Sequence, residues 1–394
     1  MKLLYFYRVP LPDARADAIQ IVNTCAAVVR AGGDVDLHVE SLRPVPTSEC
    51  LRFYGIEHPV GAGAGRLALV AMGVHWSWPL FDSKVRRILK RAGPSRACLF
   101  VREVRRYVPR LIARAKAAGL PVIFEAHNVS AQLVQEKRER GPGGGRKGEL
   151  TERAALESSV VKAADGLICT QGATLEELKH LLKPGLPTMI LGNATQIPPR
   201  PGRAESKLRD IDVLYCGSLK AWKGVDGLVA AVRGLDPYRL TIVGPASPPD
   251  ARRVRDAAQA AGVAGRVTIL PAVSPVEVWG LYERARVGVI PLAGKDYVEA
   301  RNFTSPLKLF EMMAAGLPIV ASRVGSITEY VEDRREALLV PAGDPVALAD
   351  SIRQVLTDES LAQSLAAAAR QRVAGNTWDN RGRSLLAFAE QVAG

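Results

Sequence analysis

At 394 residues the chain is longer than one ordinary core organises, so two domains are expected. An apolar fraction of 47% and a charged fraction of 24% are those of a globular protein and exclude a disordered or fibrous one. The formal charge of +13 is uneven: residues 1–200 hold 29 Lys and Arg against 18 Asp and Glu, a net of +11. Five cysteines, odd in number and without a C-x-x-C pair, read as reduced thiols, and Cys98, Cys169 and Cys216 fall inside apolar strand-like runs. A disulfide-free cytoplasmic protein is the expectation. The apolar start is interrupted at Arg8 and Pro10, too early for a signal peptide or a spanning helix, and no later segment has the uninterrupted length.

In chain order, a strand at 3–7 leads into a helix at 14–30, stopped by Gly32-Gly33, and then into a strand at 35–39. Further strands are expected at 67–72, 97–101, 122–126, 166–170 and 188–191. Between 84 and 116 lie Lys84, Arg86, Arg87, Lys90, Arg91, Arg96, Arg102, Arg105, Arg106, Arg110, Arg114 and Lys116, with Glu103 the only acid. Such density suits an anionic membrane surface, where each cation near the leaflet contributes about 1 kcal/mol. It also raises a nucleic-acid-binding, non-enzymatic alternative, which the lack of a recognised motif or interleaved aromatics disfavours. The Gly-rich tract at 141–148 reads as a loop, and the Pro-rich stretch at 197–203 as a hinge.

The second half repeats the design, with strands at 211–216, 239–243, 266–270, 287–291, 318–322 and 337–340. Ser274 with Glu277, and Ser326 with Glu329, read as capping boxes. Strands alternating with helices argue α/β architecture: two Rossmann-like, doubly wound parallel sheets facing each other across a cleft. The expected division is 1–196, a hinge at 197–209 and 210–380, with a final helix at about 381–394 returning to the first domain. Ligands in such sheets bind outside the carboxyl ends of the strands.

Two segments carry chemistry. The strand 211–216 runs into Gly217-Ser218-Leu219-Lys220-Ala221-Trp222-Lys223-Gly224 and a helix from Val225. A glycine at the strand end admits a ligand to the backbone, Lys220 and Lys223 bracket the turn, and the helix start presents free N–H groups, together a phosphate cradle. Later, Ser305 reads as an N-cap, Pro306 as the first helical position and Gly316 as the stop of an almost wholly apolar helix. Thr304, Lys308, Glu311 and Ala315 share one stripe of it. Burying an ammonium and a carboxylate is costly unless they pair, here at i, i+3, or face a polar ligand.

Together these residues resemble the donor domain of family-4 retaining glycosyltransferases, which have the GT-B fold. The resemblance rests on Gly217…Lys223-Gly224, Gly244 ending the next strand, the helix with Glu311 and its Ala314-Ala315-Gly316-Leu317-Pro318 continuation, and Gly325…Glu329. Asp17-Ala18-Ile19-Gln20 and Glu125-Ala126-His127-Asn128 are similar to the acceptor domain of that family. The resemblance implies retaining transfer from a nucleotide-diphosphate sugar, a UDP-sugar favoured, to a glycan, lipid-linked or small-molecule acceptor, without a metal or other cofactor. It implies that Glu311 grips the ribose hydroxyls, that Lys223 neutralises the diphosphate and that His127 contacts the donor sugar or its phosphate. Gly217, Ser218, Lys220, Gly244, Val273, Ser305, Pro306, Leu307 and Lys308 complete the implied nucleotide and phosphate site.

Two positions depart from the family pattern. Phe303 stands where a first glutamate is common, and Ser218 where arginine often follows the loop glycine. Lys220 or Lys308 replaces the missing cation in this reading, and Glu299 is a candidate sugar contact. Arg8, Arg102 and Glu125, at strand ends of the first domain, are candidate acceptor or sugar contacts, with Glu125 placed to orient His127. Asp34-Val35-Asp36 matches a metal-binding D-x-D only superficially, and metal binding is not expected. A GT-B-fold epimerase or phosphorylase is the nearest alternative enzyme, and a catalytically silent relative the third reading.

Overall fold

The structure is a computed structural model, and it describes residues 1–40, 46–57, 64–72, 78–92, 97–102, 104–130, 132, 148–198, 209–294, 297, 300 and 306–394. The chain forms two compact units, Met1–Asn193 with Trp378–Gly394, and Ala194–Thr377. The first unit contains β1 (Lys2–Tyr7), α1 (Ala16–Arg30), β2 (Asp34–Val39), α2 (Thr47–Phe53), β3 (Leu67–Ala71), α3 (Trp78–Ala92) and β4 (Ala97–Val101). It continues with α4 (Val108–Ala117), β5 (Val122–Ala126), α5 (Glu149–Ala163), β6 (Gly166–Cys169), α6 (Gly172–Leu178) and β7 (Thr188–Ile190). The second unit holds β8 (Ile211–Cys216), α7 (Val225–Val232), β9 (Leu240–Val243), α8 (Pro248–Ala260), β10 (Val267–Leu270), α9 (Pro275–Arg284) and β11 (Ala285–Ile290). After these come α10 (Leu307–Ala315), β12 (Ile319–Ser322), α11 (Gly325–Thr328), β13 (Leu338–Val340), α12 (Pro345–Thr357) and α13 (Glu359–Val373). The chain ends on α14 (Trp378–Ala393), which belongs to the first unit.

Both sheets are parallel. The first runs β3-β2-β1-β4-β5-β6-β7 and the second β10-β9-β8-β11-β12-β13. In each, the chain builds outward from its first strand in one direction and then reverses. The reversal, between β1 and β4 and again between β8 and β11, is the switch point at which loops diverge and leave a crevice. Parallel strands covered on both faces need a nearly continuous apolar sequence. β4 and β5 are buried at every residue, and β1 at all but Lys2.

The capping box at Ser274 forms: Glu277 N donates to Ser274 Oγ at 3.3 Å and Ser274 N to Glu277 Oε2 at 2.8 Å. The box expected at Ser326 does not. Its helix starts at Gly325 without a side-chain cap, and Ser326 Oγ donates instead to Ala300 O at 2.9 Å. The helix expected from 14 begins at Ala16, and Pro306 precedes α10 as its flanking residue. The Gly-rich tract up to 147 and the hinge from 199 to 208 lie outside the described residues. All five cysteines are buried free thiols, and burial pushes Cys98, Cys169 and Cys216 up to about 12. Among the described residues no helix is long and apolar enough to cross a membrane.

α14 returns to the first unit three residues earlier than the pattern suggested and lies along α1. A Cβ on Gly382 would stand 2.4 Å from Ala27 C and 2.6 Å from Ala27 O, so the two backbones meet without a side chain between them. Leu385, Phe388 and Ala389 then enter the core of β1, β2 and α1. Gly382→Ala gains up to about 1 kcal/mol of helix propensity. It should nonetheless destabilise the chain by a net of about 1–3 kcal/mol, because α14 must move off α1. Urea unfolding of the full chain measures the sign.

Candidate functional site

In the second unit the switch point is floored by backbone. Gly217 ends β8 with φ 149° and Gly244 ends β9 with φ 154°. A Cβ on Gly244 would lie 2.1 Å from Gly217 O, so only glycine fits, and a Cβ on Gly217 would stand 2.6 Å from Lys308 Nζ. Side chains are thereby kept off the floor, and a ligand can reach the main chain.

Lys308 comes from α10, which follows β11. Its ammonium is buried, makes no hydrogen bond, and sits 4.3 Å from the centroid of the Tyr215 ring. Burial pulls its pKa down to about 8 against the partial opposition of Cys216 and Glu311. One turn further, Glu311 Oε2 accepts from Tyr282 Oη at 2.9 Å, and burial raises its pKa although Tyr282 and Lys308 oppose the rise. The i, i+3 ion pair does not form; Glu311 bonds to a tyrosine on α9, and Lys308 stays without a hydrogen bond. Lys223 Nζ lies 3.7 Å from the Trp222 ring centroid. Burial first, then the neighbouring ammonium groups of Lys308 and Lys220, press Lys223 well below the ordinary lysine range. Three lysines are gathered before a helix start, one of them with no hydrogen bond, and their mutual repulsion is of the kind an anion relieves.

The remaining nucleotide-site expectations fall variously. Ser218 is half-buried, and its carbonyl accepts from Tyr215 Oη at 2.7 Å. Lys220 is exposed, while Val273 packs against the apolar core behind the site. Pro306 and Leu307 are buried at the start of α10. Ser305, Glu299 and Phe303 lie outside the described residues. Tyr282 and the Tyr215 ring were not anticipated; each sits in an ordinary apolar pattern on another element, and no local signal marks it.

The first unit gathers a different set. His127 follows β5, with its Nδ1 3.2 Å from Arg102 Nη2 and its Nε2 3.2 Å from Glu125 Oε2. Burial, reinforced by Arg102, pulls the imidazole down to about 4, so it is neutral at pH 7. Glu125 and Arg102 are both engaged by other side chains of the unit. Glu125 Oε1 accepts from Arg381 and from Gln20 Nε2, while Arg102 Nη1 donates to Gln20 Oε1 and to Asp17 O. Arg8 instead pairs with Glu40 at 3.0 Å on the surface. Asp34 and Asp36 are engaged by Arg66 and Lys2, and among the described residues no cluster suited to a metal ion occurs.

Residues 210–358 match the family described as Glycosyl transferases group 1. Residues 210–358 thus resemble a group 1 glycosyltransferase domain. That domain is the unit with the glycine floor, Lys223, Lys308 and Glu311. The chain is 30% identical over 243 residues to a D-inositol 3-phosphate glycosyltransferase of Xylanimonas cellulosilytica, covering 59% of this chain and 55% of that protein. It spans only 55–60% of the length of such curated relatives. Sucrose-phosphate synthase from Thermosynechococcus elongatus superposes with a TM-score of 0.77 at 19% identity, over 99% of this chain and 98% of that one. HepE of Anabaena, solved with UDP-glucose, superposes at 0.68 with 14% identity over 99% of each chain. At these identities the likeness establishes the fold, two parallel-sheet α/β units of the GT-B class, and extends it beyond the group 1 domain to the whole chain.

The buried histidines make an acid-labile first unit. His38 stacks on Phe6 at 4.3 Å with neither ring nitrogen hydrogen-bonded, and burial holds it at about 4. Below the ordinary histidine value of about 6.5 the unfolded chain binds protons at His38 and His127 that the folded chain refuses. Stability is therefore fully present above that value and is lost as pH falls toward 4, the folded value of both histidines. Glu125, held low by Arg381, adds to the loss at the acid end. Urea midpoints across this range should fall, and His38→Phe should remove part of the slope.

Proposed function

We propose that the chain transfers a sugar from a nucleotide-diphosphate sugar, a UDP-sugar favoured, to an acceptor hydroxyl, with retention and without a metal. The observation that carries this reading is the buried Lys308 ammonium, without a hydrogen bond, beside Lys223 and over the glycine floor of the group 1 domain. A diphosphate placed there would supply the missing counter-charge, and the start of α7 would add backbone donors. Glu311, with one oxygen held by Tyr282, has the other available to a ribose hydroxyl. In the reaction the bond from the anomeric carbon to the diphosphate oxygen breaks, and its electron pair leaves with the diphosphate. The acceptor oxygen then bonds to the same face of that carbon, and its proton passes to a leaving phosphate oxygen. Solved complexes of HepE with UDP and with UDP-glucose support a uridine donor by analogy of fold.

The acceptor side is supported by a cavity of ≈ 650 Å³ in the first unit, lined by Arg8, Arg105, Arg106, Tyr107, Glu152 and Arg153 among others. It stands by the carboxyl ends of β1 and β4, the switch point of that sheet. Arg8 pairs with Glu40 and Arg106 with Glu152, yet the lining holds four arginines against Glu149 and Glu152 and so suits an acceptor carrying a phosphate or carboxylate; relatives are named for D-inositol 3-phosphate. Exposed Arg87, Lys90 and Arg91 on α3, with Leu80 61% exposed at its start, support peripheral attachment to an anionic cytoplasmic membrane face. Other basic groups of the run are occupied: Arg86 and Arg114 share Asp82, and Lys84 Nζ donates to Ala71 O and Met72 O. Binding to anionic liposomes at low salt tests the attachment, and its absence would dismiss it.

Thermal shifts with UDP-, GDP-, ADP- and dTDP-sugars, unchanged by a chelator, test the donor site. At a hundred-fold excess over Kd a donor should stabilise by about 2.7 kcal/mol. Glu311→Ala should weaken binding about 10- to 100-fold through the lost charged hydrogen bond. Because Lys308 titrates at about 8, UDP affinity should decline as pH rises through that value, and Lys308→Met should abolish the decline. No stabilisation by any nucleotide sugar would reject the reading. Product analysis with a labelled donor separates transfer from epimerisation, which leaves sugar on the nucleotide, and from phosphorolysis, which needs free phosphate.

A further inference from the structure

We propose that Arg381, on the last helix of the chain, is the positioning residue of the His127 site. It would hold Glu125 and through it the imidazole at the end of β5. This extends the reading of His127 as a residue of the transfer site, and rests on that reading for its kinetic consequence alone.

Arg381 is 2% exposed and Glu125 1%, and they form a buried ion pair 256 residues apart in sequence. The guanidinium also donates from Nε to Thr24 Oγ1 at 3.0 Å and from Nη1 to Leu191 O at 2.7 Å and Gly192 O at 2.5 Å. Desolvating two ions costs several kcal/mol each before their attraction returns it, and an apolar pair would fill the space as well. What an apolar pair would not do is fix a carboxylate. With Oε1 occupied by Arg381 and Gln20, the carboxylate turns Oε2 toward His127 Nε2.

The other face of the ring is set by Arg102. A guanidinium has only donors, so His127 Nδ1, 3.2 Å from Arg102 Nη2, must accept. The proton of a neutral ring then belongs on Nε2, toward Glu125. The charged groups acting on the ring are Arg102 after β4, Glu125 on β5 and Arg381 on α14, and Arg102 and Glu125 in turn face Tyr5 and Tyr7 from β1 and Gln20 and Asp17 from α1. The two arginines oppose protonation of the imidazole and Glu125 favours it. Removing Arg381 therefore leaves Glu125 as a buried carboxylate whose nearest titratable partner is His127. The pair would then take up a proton, and the ring would become a charged partner of Glu125.

Arg381 also joins the site to the chain crossings. Leu191 and Gly192, whose carbonyls it binds, immediately precede Asn193, where the chain leaves the first unit; Arg381 itself follows the return at Trp378 by three residues. One side chain thus ties the outgoing segment, the incoming helix and the support of His127 together.

The test uses the full chain with ¹⁵N-labelled histidine, the His127 signals being assigned with His127→Asn. Wild type should show His127 as the neutral Nε2–H tautomer down to low pH. In Arg381→Gln its pKa should rise by about 1–3, because one of the two opposing arginines is gone while Glu125 keeps its attraction. UDP affinity, a property of the other unit, should stay within two-fold while kcat falls by up to about 10²-fold, the scale of a misplaced group. Arg381→Lys keeps the charge, so it should keep the ring neutral and recover part of kcat. A folded Arg381→Gln with wild-type His127 titration would overturn the proposal. So would a wild-type His127 protonated on Nδ1 alone, a result that decides the matter even if the variant does not fold. If wild type transfers no sugar, the proposed function fails and the tautomer and titration still decide the role of Arg381.

Discussion

An ion taken out of water must be compensated, and that constraint governs both units of this protein. In the first, Glu125 and Arg381 compensate each other inside the fold, with Thr24, Gln20 and two carbonyls completing their bonds. In the second, Lys308 is left with a tyrosine face and a distant carboxylate, and Lys223 is crowded by like charge. A closed account describes a support. An open one leaves the folded chain with an unfavourable interaction that an anion would relieve.

Sheet topology puts these arrangements where they are. In a parallel sheet every strand sends its loop to the same edge, and where the order reverses neighbouring loops part. Gly217 and Gly244 end β8 and β9, and Lys308 and Glu311 follow β11, so residues almost a hundred positions apart meet at one edge. In the first sheet the corresponding edge brings Arg102 after β4 and His127 after β5 within 3.2 Å. The helices behind them supply the holders: Tyr282 from α9 in one unit, Arg381 from α14 in the other.

Much of this was legible from residue order. Apolar runs of strand length, separated by helix-length amphipathic segments, specify parallel sheets because a strand covered on both faces is nearly continuous in apolar residues. Glycine at the ends of β8 and β9 marked the backbone floor, and the apolar stripe of α10 marked Lys308 and Glu311 as charges needing a reason. The readings that failed were those that assumed a partner nearby in sequence. Lys308 and Glu311 share a helix face yet do not pair, and Ser326 bonds to Ala300 and leaves its helix uncapped.

By itself the sequence determined the fold class, the two-unit organisation and which residue types stand at the strand ends, since periodicity, glycine and burial preference act locally. Only the tertiary structure decided which charge answers which. Tyr282 was an aromatic residue in an amphipathic helix, and Arg381 one arginine among many, until folding placed one on Glu311 and the other on Glu125. Electrostatic partnership depends on distance and desolvation in space, and neither is encoded in spacing along the chain.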